Sequence, residues 1–292
     1  MSRVSEQEAH GVTNLARFAG GGRPPTPAAH RLRRQRWTQT GLVFLCQLLL
    51  LVVLLSAWEY VTAQDQQAAF LFGSPTAIFG FLVGMWQDGS LFRDTYVTGL
   101  ETVLGFLLGN VLGTLVGLSL WYSRFISRLM QPFVVALGSI PIIALAPLII
   151  IWFGTGLSSK VAMATLSVVV VALVTSYKGA MSVDPDQVNL MRTLGASKPQ
   201  IFQKLVVPAS LTDIFAGMKL TVGFALIGAI IGEFMSSSEG LGHAIFKAGS
   251  LYIIPKVFAA LLVTIILALV LTWLVGKLEQ LLTPWQRSAQ AH

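Results

Sequence analysis

Charge is scarce in this chain, and so are the residues of common catalytic chemistry. Asp, Glu, Lys and Arg make up 11% of its 292 residues, against about 25% in soluble globular domains. So little charge cannot cover the surface of a water-soluble fold of this length. The single cysteine, Cys46, sits inside an apolar run, which excludes a disulfide framework within the chain. The four histidines are scattered. His243 has no companion His, Cys or acidic residue at ligand spacing, which argues against a metal site. No GxxxxGKS/T phosphate loop occurs, so ATP cannot be bound through that motif. GxSxG, HExxH and CxxC are missing as well. We therefore expect no catalytic residues and no cofactor in this chain.

What the sequence has is apolar length. Hydrophobic residues make up 54% and the mean hydropathy is +0.71. Several charge-free runs exceed the roughly 20 residues that cross a bilayer core. This predicts an all-α polytopic membrane protein. The first span is expected at 37–58, with tryptophan at both ends. Residues 66–87 also lack charge, but Gly73-Ser74-Pro75 breaks them early. Ile78, Leu82 and Trp86 form one face, so an interfacial helix is expected rather than a span. The second span, 100–121, carries Gly105, Gly109, Gly113 and Gly117 on one face, where a neighbouring helix can approach closely. Glu101 is expected at its outer end, in water or among headgroups.

The third run, 129–159, is longer than one straight span requires and contains Pro132, Pro141 and Pro147. Proline frees backbone carbonyls, which are tolerated only against protein or a water-filled cavity. Ser139 and Pro141 are therefore candidate pathway residues, set against a kink that serves packing alone. A fourth span follows at 161–177, a fifth at 217–234 and a sixth at 257–276. The fifth carries Glu233, a third candidate for the pathway. At its outer end Glu233 is expected to reach water, which favours a structural role. The stretch 236–255, with Gly240-Leu241-Gly242, is expected to fold back toward the pore.

Residues 1–36 form a basic, Gly- and Pro-rich tail expected to be irregular, ahead of a membrane domain at 37–292. Lys and Arg concentrate in this tail, at 124–128, between 178 and 219, and at the C-terminal end. Only Arg93, Lys160, Lys247 and Lys256 fall on the other side. The positive-inside rule then places both termini in the cytoplasm with six spans between them.

The longest polar interruption, 182–213, is highly patterned. Asp184-Pro185 supplies an N-cap and first-turn proline, and Val188, Met191 and Leu194 recur at helical spacing. Gly195 suits the left-handed turn that stops the helix. Ser197 and Gln200 form a capping box, Ile201, Phe202, Leu205 and Val206 form a second stripe, and Pro208 is expected to end it. Arg192, Lys198 and Lys204 on such a helix pair would also suit DNA, but its place between membrane spans argues against a nucleic-acid partner.

This segment resembles the cytoplasmic motif of permease subunits in ATP-binding-cassette (ABC) importers, which runs Glu-Ala-Ala, three residues, Gly, nine residues, Ile-x-Leu-Pro. Gly195 is followed at that spacing by Leu205-Val206-Val207-Pro208, whereas Asn189-Leu190-Met191 replaces Glu-Ala-Ala. The likeness covers about 66–280 and is closer to permeases for nitrate, taurine, aliphatic sulfonates and bicarbonate. It is carried by Gly73-Ser74-Pro75, Ile151-Trp152-Phe153-Gly154, Ser182-Val183-Asp184-Pro185 and Ile231-Gly232-Glu233-Phe234. The resemblance implies a type I importer permease fold in the cell inner membrane. It implies a second permease chain, a cytoplasmic ATPase that binds ATP and Mg²⁺, and an external solute-binding protein. Asn189, Leu190, Met191, Gly195, Leu205, Val207 and Pro208 would form the coupling contact, and a small anion would be the solute. Related permeases carry pyrimidine vitamin precursors or aromatic acids. Two other classes stand beside this one, an ion-gradient-driven transporter and a non-transporting membrane scaffold. The first would want charged residues at mid-membrane, and Glu101 and Glu233 are peripheral.

Overall fold

The computed structural model describes the chain from residue 27 to 283, with side chains from residue 42 onward, and every regular element among the described residues is helical. The chain divides into two compact units, residues 1–60 and 61–292. The first unit holds most of α1 (Pro27–Gln64), whose stretch Leu42–Gln64 is long and apolar enough to cross a bilayer. Residues 27–36, expected to be irregular, are thus helical, since the breakers at 20–25 precede them. The rest of the expected irregular tail lies outside the described residues, as does the far C-terminal end with Arg287.

In the second unit, α2 (Gln66–Phe72) and α3 (Pro75–Gln87) meet at 43°. Asp65 caps α2 by accepting the Gln67 N–H, and Ser74 caps α3 by accepting that of Ala77. Gly73 carries the turn between them at φ +64°. α3 buries Ile78 and Met85, while Trp86 faces outward and meets Phe92 edge-on at 4.6 Å. Together the two helices are long and apolar enough to cross a bilayer as a bent pair. Beyond α3, the exposed Asp88 accepts the Ser90 N–H at 2.8 Å, and the Ser90 side chain, together with this N–H, holds its carboxyl below its usual range.

Three long helices form the centre: α4 (Ser90–Ser119), α7 (Leu157–Met181) and α10 (Val207–Ser236). α7 lies between the other two because both present glycine to it. A Cβ on Gly105, Gly109, Gly113 or Gly117 of α4 would overlap Ala164, Val168, Ala172 or the Leu173 carbonyl of α7. On the opposite side, Gly217, Gly228 and Gly232 of α10 stand equally close to Thr175, Ser167 and Lys160. In lipid, where apolar side chains gain nothing by leaving the tails, such close approach is a main source of helix association. Polar bonds inside the bundle add register. Thr221 on α10 donates to Asn110 on α4 at 3.1 Å, and Ser176 on α7 donates to Thr114 at 3.1 Å. Helix α12 (Ile254–Leu282) completes the core through Val275, beside Phe106 and Val222.

The long third run is broken into α5 (Arg124–Gly138) and α6 (Ile142–Phe153), which meet at 90°. The break falls at Ser139–Ile140–Pro141. Pro141 has no N–H to continue α5 and pushes the preceding residue away from helical angles. The Ser139 hydroxyl donates to the Val135 carbonyl at 2.9 Å. The described residues hold five candidate spans, or up to seven if each bent pair counts as one more, a range that contains the expected six.

One expected boundary is wrong. Pro208 does not end the second polar helix. α9 (Lys198–Ile201) runs through a π turn (Phe202–Val206) directly into α10, with Pro208 in the first turn of α10. In the π turn the Val207 N–H bonds the Phe202 carbonyl. The wider turn makes room for a ring that would strike the preceding carbonyls of a regular helix.

Candidate functional site

The first candidate site is the polar segment between α7 and α10. α8 (Pro185–Thr193) starts at Asp184, whose carboxylate accepts the Asp186 N–H at 2.9 Å. It stops at Gly195, φ +80°, where the Gly195 N–H bonds Arg192 O and the Ala196 N–H bonds Met191 O, both at 2.9 Å. This pair of bonds is the Schellman arrangement that left-handed glycine permits. Gln200 Oε1 then accepts the Ser197 N–H at 2.7 Å, opening α9. The two ends of the segment also meet: Ser182 Oγ lies 3.4 Å from Asp213 Oδ2.

The residues of the segment, those expected to form the coupling contact among them, divide into two groups. Val188, Met191, Leu205 and Val207 pack downward against Ile201, Val206 and Ile214. Asn189 and Leu190 face outward, as do Gly195 and Leu194. Leu194, expected in the apolar stripe, is 74% exposed, because the turn at Gly195 rotates it off the inner face. Pro208 is half-buried. Beneath the outward group lies an anchor absent from the sequence expectation. Lys198 Nζ donates to the Tyr122 carbonyl at 2.6 Å and lies over the Trp121 and Tyr122 rings. Phe202 packs on the same two rings at 5.7 and 4.8 Å. Trp121, Tyr122, Val188, Asn189, Arg192 and Lys198 line a groove of about 350 Å³. Trp121 carries the only sequence signal for this anchor, and it reads equally well as an interfacial tryptophan.

The second candidate site lies at the opposite end of α10. Glu233, expected to reach water, is 1% exposed, and Glu101 is 2% exposed. The turn before α11 (Leu241–Ser250) wraps its backbone over Glu233. Gly242 N–H donates to Oε2 at 2.5 Å, and Thr98 Oγ1 donates to Oε1 at 2.6 Å. Thr98 Oγ1 in turn accepts the Leu241 N–H at 2.8 Å, and Asp94 accepts that of Gly240 at 3.2 Å. Any Cβ on Gly240 or Gly242 would collide with the Glu233 carboxyl. The Glu101 carboxyl neighbours that of Glu233. Lys160, assigned from sequence to an external loop, is 4% exposed. It donates to the carbonyls of Thr155 and Ser236 at 2.5 and 3.0 Å. Among the three pathway candidates, Glu233 joins this cluster. Ser139 and Pro141 do not: they lie exposed at the start of α6, whereas the cluster meets the turn after it.

Fold and sites together define an integral-membrane permease subunit, several helices thick, with a capped helix pair mounted on one of its central spans. The chain belongs to the binding-protein-dependent transport system inner membrane component family, whose profile matches residues 109–284. It is 33% identical to the riboflavin transport system permease protein RibX of Chloroflexus aurantiacus, over 90% of this chain and 96% of that one. It is 32% identical to the formylaminopyrimidine transport permease protein ThiX of Halalkalibacterium halodurans, over 82% and 95%. Identity falls to 28% with the aliphatic sulfonates transport permease protein SsuC of Bacillus subtilis, over 82% and 87%. Among solved structures, the MetNI methionine ABC transporter in inward-facing conformation superposes with a TM-score of 0.61 at 19% identity. That match covers 68% of this chain and 98% of that one, and the likeness is one of fold.

Proposed function

We propose that this chain is the membrane half of an ATP-driven importer, with residues 182–213 seated on a cytoplasmic P-loop ATPase. A second permease chain shares the pathway, and an external binding protein delivers the solute. Both termini lie in the cytoplasm. ATP and Mg²⁺ belong to the ATPase, and this chain contributes no catalytic group. The observation that carries the reading is mechanical. The run Lys198–Ser236 is a 39-residue helical rod, about 60 Å long at 1.5 Å per residue. Its start is held by the Ser197 cap and the Trp121–Tyr122 anchor, and its far end by Glu233. A push on α9 therefore reaches the buried cluster along one continuous helical run, as a two-state lever requires. Affinity purification from detergent followed by mass spectrometry tests this. A P-loop ATPase should co-purify and be lost when residues 189–208 are scrambled. Recovery of the chain alone, with uptake insensitive to ATP depletion but abolished by an uncoupler, would favour an ion-gradient transporter.

For the solute, we infer a riboflavin- or pyrimidine-type ring rather than the small anion first expected from family resemblance. Identity is greater to the riboflavin and formylaminopyrimidine permeases than to the sulfonate permease, and the buried carboxyls Glu101 and Glu233 disfavour an anion beside them. ATP-dependent uptake of riboflavin or an aminopyrimidine, in competition with taurine, checks it.

A further inference from the structure

The groove of about 350 Å³ beside the polar segment carries a charge that no part of the chain answers. Trp121 and Tyr122, just past the end of α4, line it, as does Met181 at the end of α7. Three cations complete the lining: Arg124 at the start of α5, Arg192 in the last turn of α8, and Lys198 at the start of α9. No aspartate or glutamate among the described residues lines it. The nearest acid in sequence, Asp184, turns its carboxylate onto the Asp186 N–H. None of the three cations forms an ion pair among the described residues, where the salt bridges belong to Arg93 and Lys219. Lys198 gives one N–H to the Tyr122 carbonyl and keeps two. Like charges around one groove repel, and an anion among them reverses the sign of that interaction.

The place of the groove in the fold says what kind of anion suits it. Its floor is made by the ends of two membrane-crossing helices, and tryptophan and tyrosine at such ends lie at the depth of lipid headgroups. An apolar surface starts one residue beyond Arg124. Phe125, Leu129 and Phe133 follow at four-residue intervals along α5, so they share one side of the helix, and all three are exposed. Cations at headgroup depth, continuous with an open apolar stripe, match an amphiphile with an anionic head. A free anion has no use for the stripe. A carboxylate on a docked protein has none either.

We propose that this groove binds the phosphate of an anionic phospholipid between Arg124, Arg192 and Lys198, with an acyl chain along the Phe125–Leu129–Phe133 stripe. Guanidinium groups suit the site because they meet phosphate oxygens with paired N–H donors. The lipid would join α8 to the ends of α4 and α7, and so steady the polar segment from its membrane side while Leu190 and Leu194 stay exposed. The site stands on its own geometry and holds whether or not the chain works as an importer.

The test titrates the full-length chain, stripped of lipid in detergent, with phosphatidylglycerol, phosphatidylcholine and inorganic phosphate. Bound lipid is read by native mass spectrometry, and limited proteolysis within 185–197 reports on the segment. Phosphatidylglycerol should bind about tenfold more tightly than phosphatidylcholine and slow the proteolysis, and inorganic phosphate at the same concentration should do neither. Arg124→Gln and Arg192→Gln together should weaken phosphatidylglycerol binding about tenfold or more, at about fivefold for each cation removed. Arg128→Gln removes an exposed arginine of the same helix that does not line the groove, and it should stay within about twofold of the wild type. Asn189→Trp narrows the groove from α8 with every cation intact; it should weaken binding too, and it serves if the double variant fails to fold. Equal affinity for the two lipids, or equal losses in Arg128→Gln and the double variant, would overturn the site. Inorganic phosphate reproducing both effects would make it a free-anion site and overturn the lipid. Unchanged phosphatidylglycerol binding in the double variant, with loss of a co-purifying ATPase, would assign the groove to a protein carboxylate instead. Absence of any ATPase from the wild-type preparation would sink the importer reading and leave the lipid site standing.

Discussion

Thr98 Oγ1 donates to Glu233 Oε1 at 2.6 Å across 135 positions of sequence, and the same oxygen accepts the Leu241 N–H at 2.8 Å. One hydroxyl thereby joins α4, α10 and the turn into α11. Replacing it with an isosteric methyl leaves a buried carboxyl oxygen and a buried N–H each short of a partner. Thr98→Val should therefore destabilise the protein by about 1–3 kcal/mol, read as a fall in the detergent unfolding midpoint. Thr98→Ser should retain most of the stability, and a midpoint unchanged in Thr98→Val would remove the latch from the account.

Gly195 has nothing within 4 Å of where a Cβ would stand. Its requirement is therefore torsional, set by φ +80°. A β-branched residue there should cost about 1–2 kcal/mol, confined to the turn between α8 and α9. Gly195→Val should insert in the membrane at normal levels and lose transport, and Gly195→Asn should be milder because Asn tolerates left-handed angles. Normal uptake by Gly195→Val at normal protein level would remove this turn from the coupling path.

The glycines facing α7 make the opposite case. Gly109→Leu would drive a side chain into Val168 and the Thr165 carbonyl, and the helices would have to separate. Loss of folded protein from the membrane is expected, measured by monodispersity on size-exclusion chromatography. Gly223 on α10 is exposed with nothing within 4 Å of its Cβ position, so Gly223→Ala should be tolerated, with helix propensity shifting stability by no more than about 1 kcal/mol.

Lys198 lies over two aromatic rings and bonds the Tyr122 carbonyl. Lys198→Met keeps the aliphatic stem and removes the ammonium. About 1 kcal/mol of local anchoring should be lost, seen as faster limited proteolysis within 185–197 and weaker ATPase co-purification, while the unfolding midpoint changes little. Equal proteolysis rates in mutant and wild type would count against the anchor.

Orientation can be checked with the chain's own single thiol removed. In a Cys46→Ser background, Leu194→Cys and Glu239→Cys place exposed thiols at opposite ends of the α10 rod. A membrane-impermeant maleimide applied to intact cells should label position 239 and spare position 194. The reverse pattern would invert the proposed topology.

Sequence alone determined the elements whose cause is local. Asp184 with Pro185, Gly195, and Ser197 with Gln200 act within a few residues of themselves, and each stands where spacing placed it. The glycine face of α4 was equally legible, since a four-residue repeat has no other use on an apolar helix. Its counterpart on α10 was less so, because Gly217, Gly228 and Gly232 follow no single repeat. Pro208 was misread because a proline in isolation predicts a stop, and the π turn that accommodates it depends on what Phe202 and Val206 pack against. Glu101, Lys160 and Glu233 were placed in water because hydropathy assigns a charged residue near a span end to the interface. Only the tertiary structure could decide otherwise. The donors that bury Glu233 come from Thr98 and Gly242, on two other segments of the chain, and no window along one helix contains them.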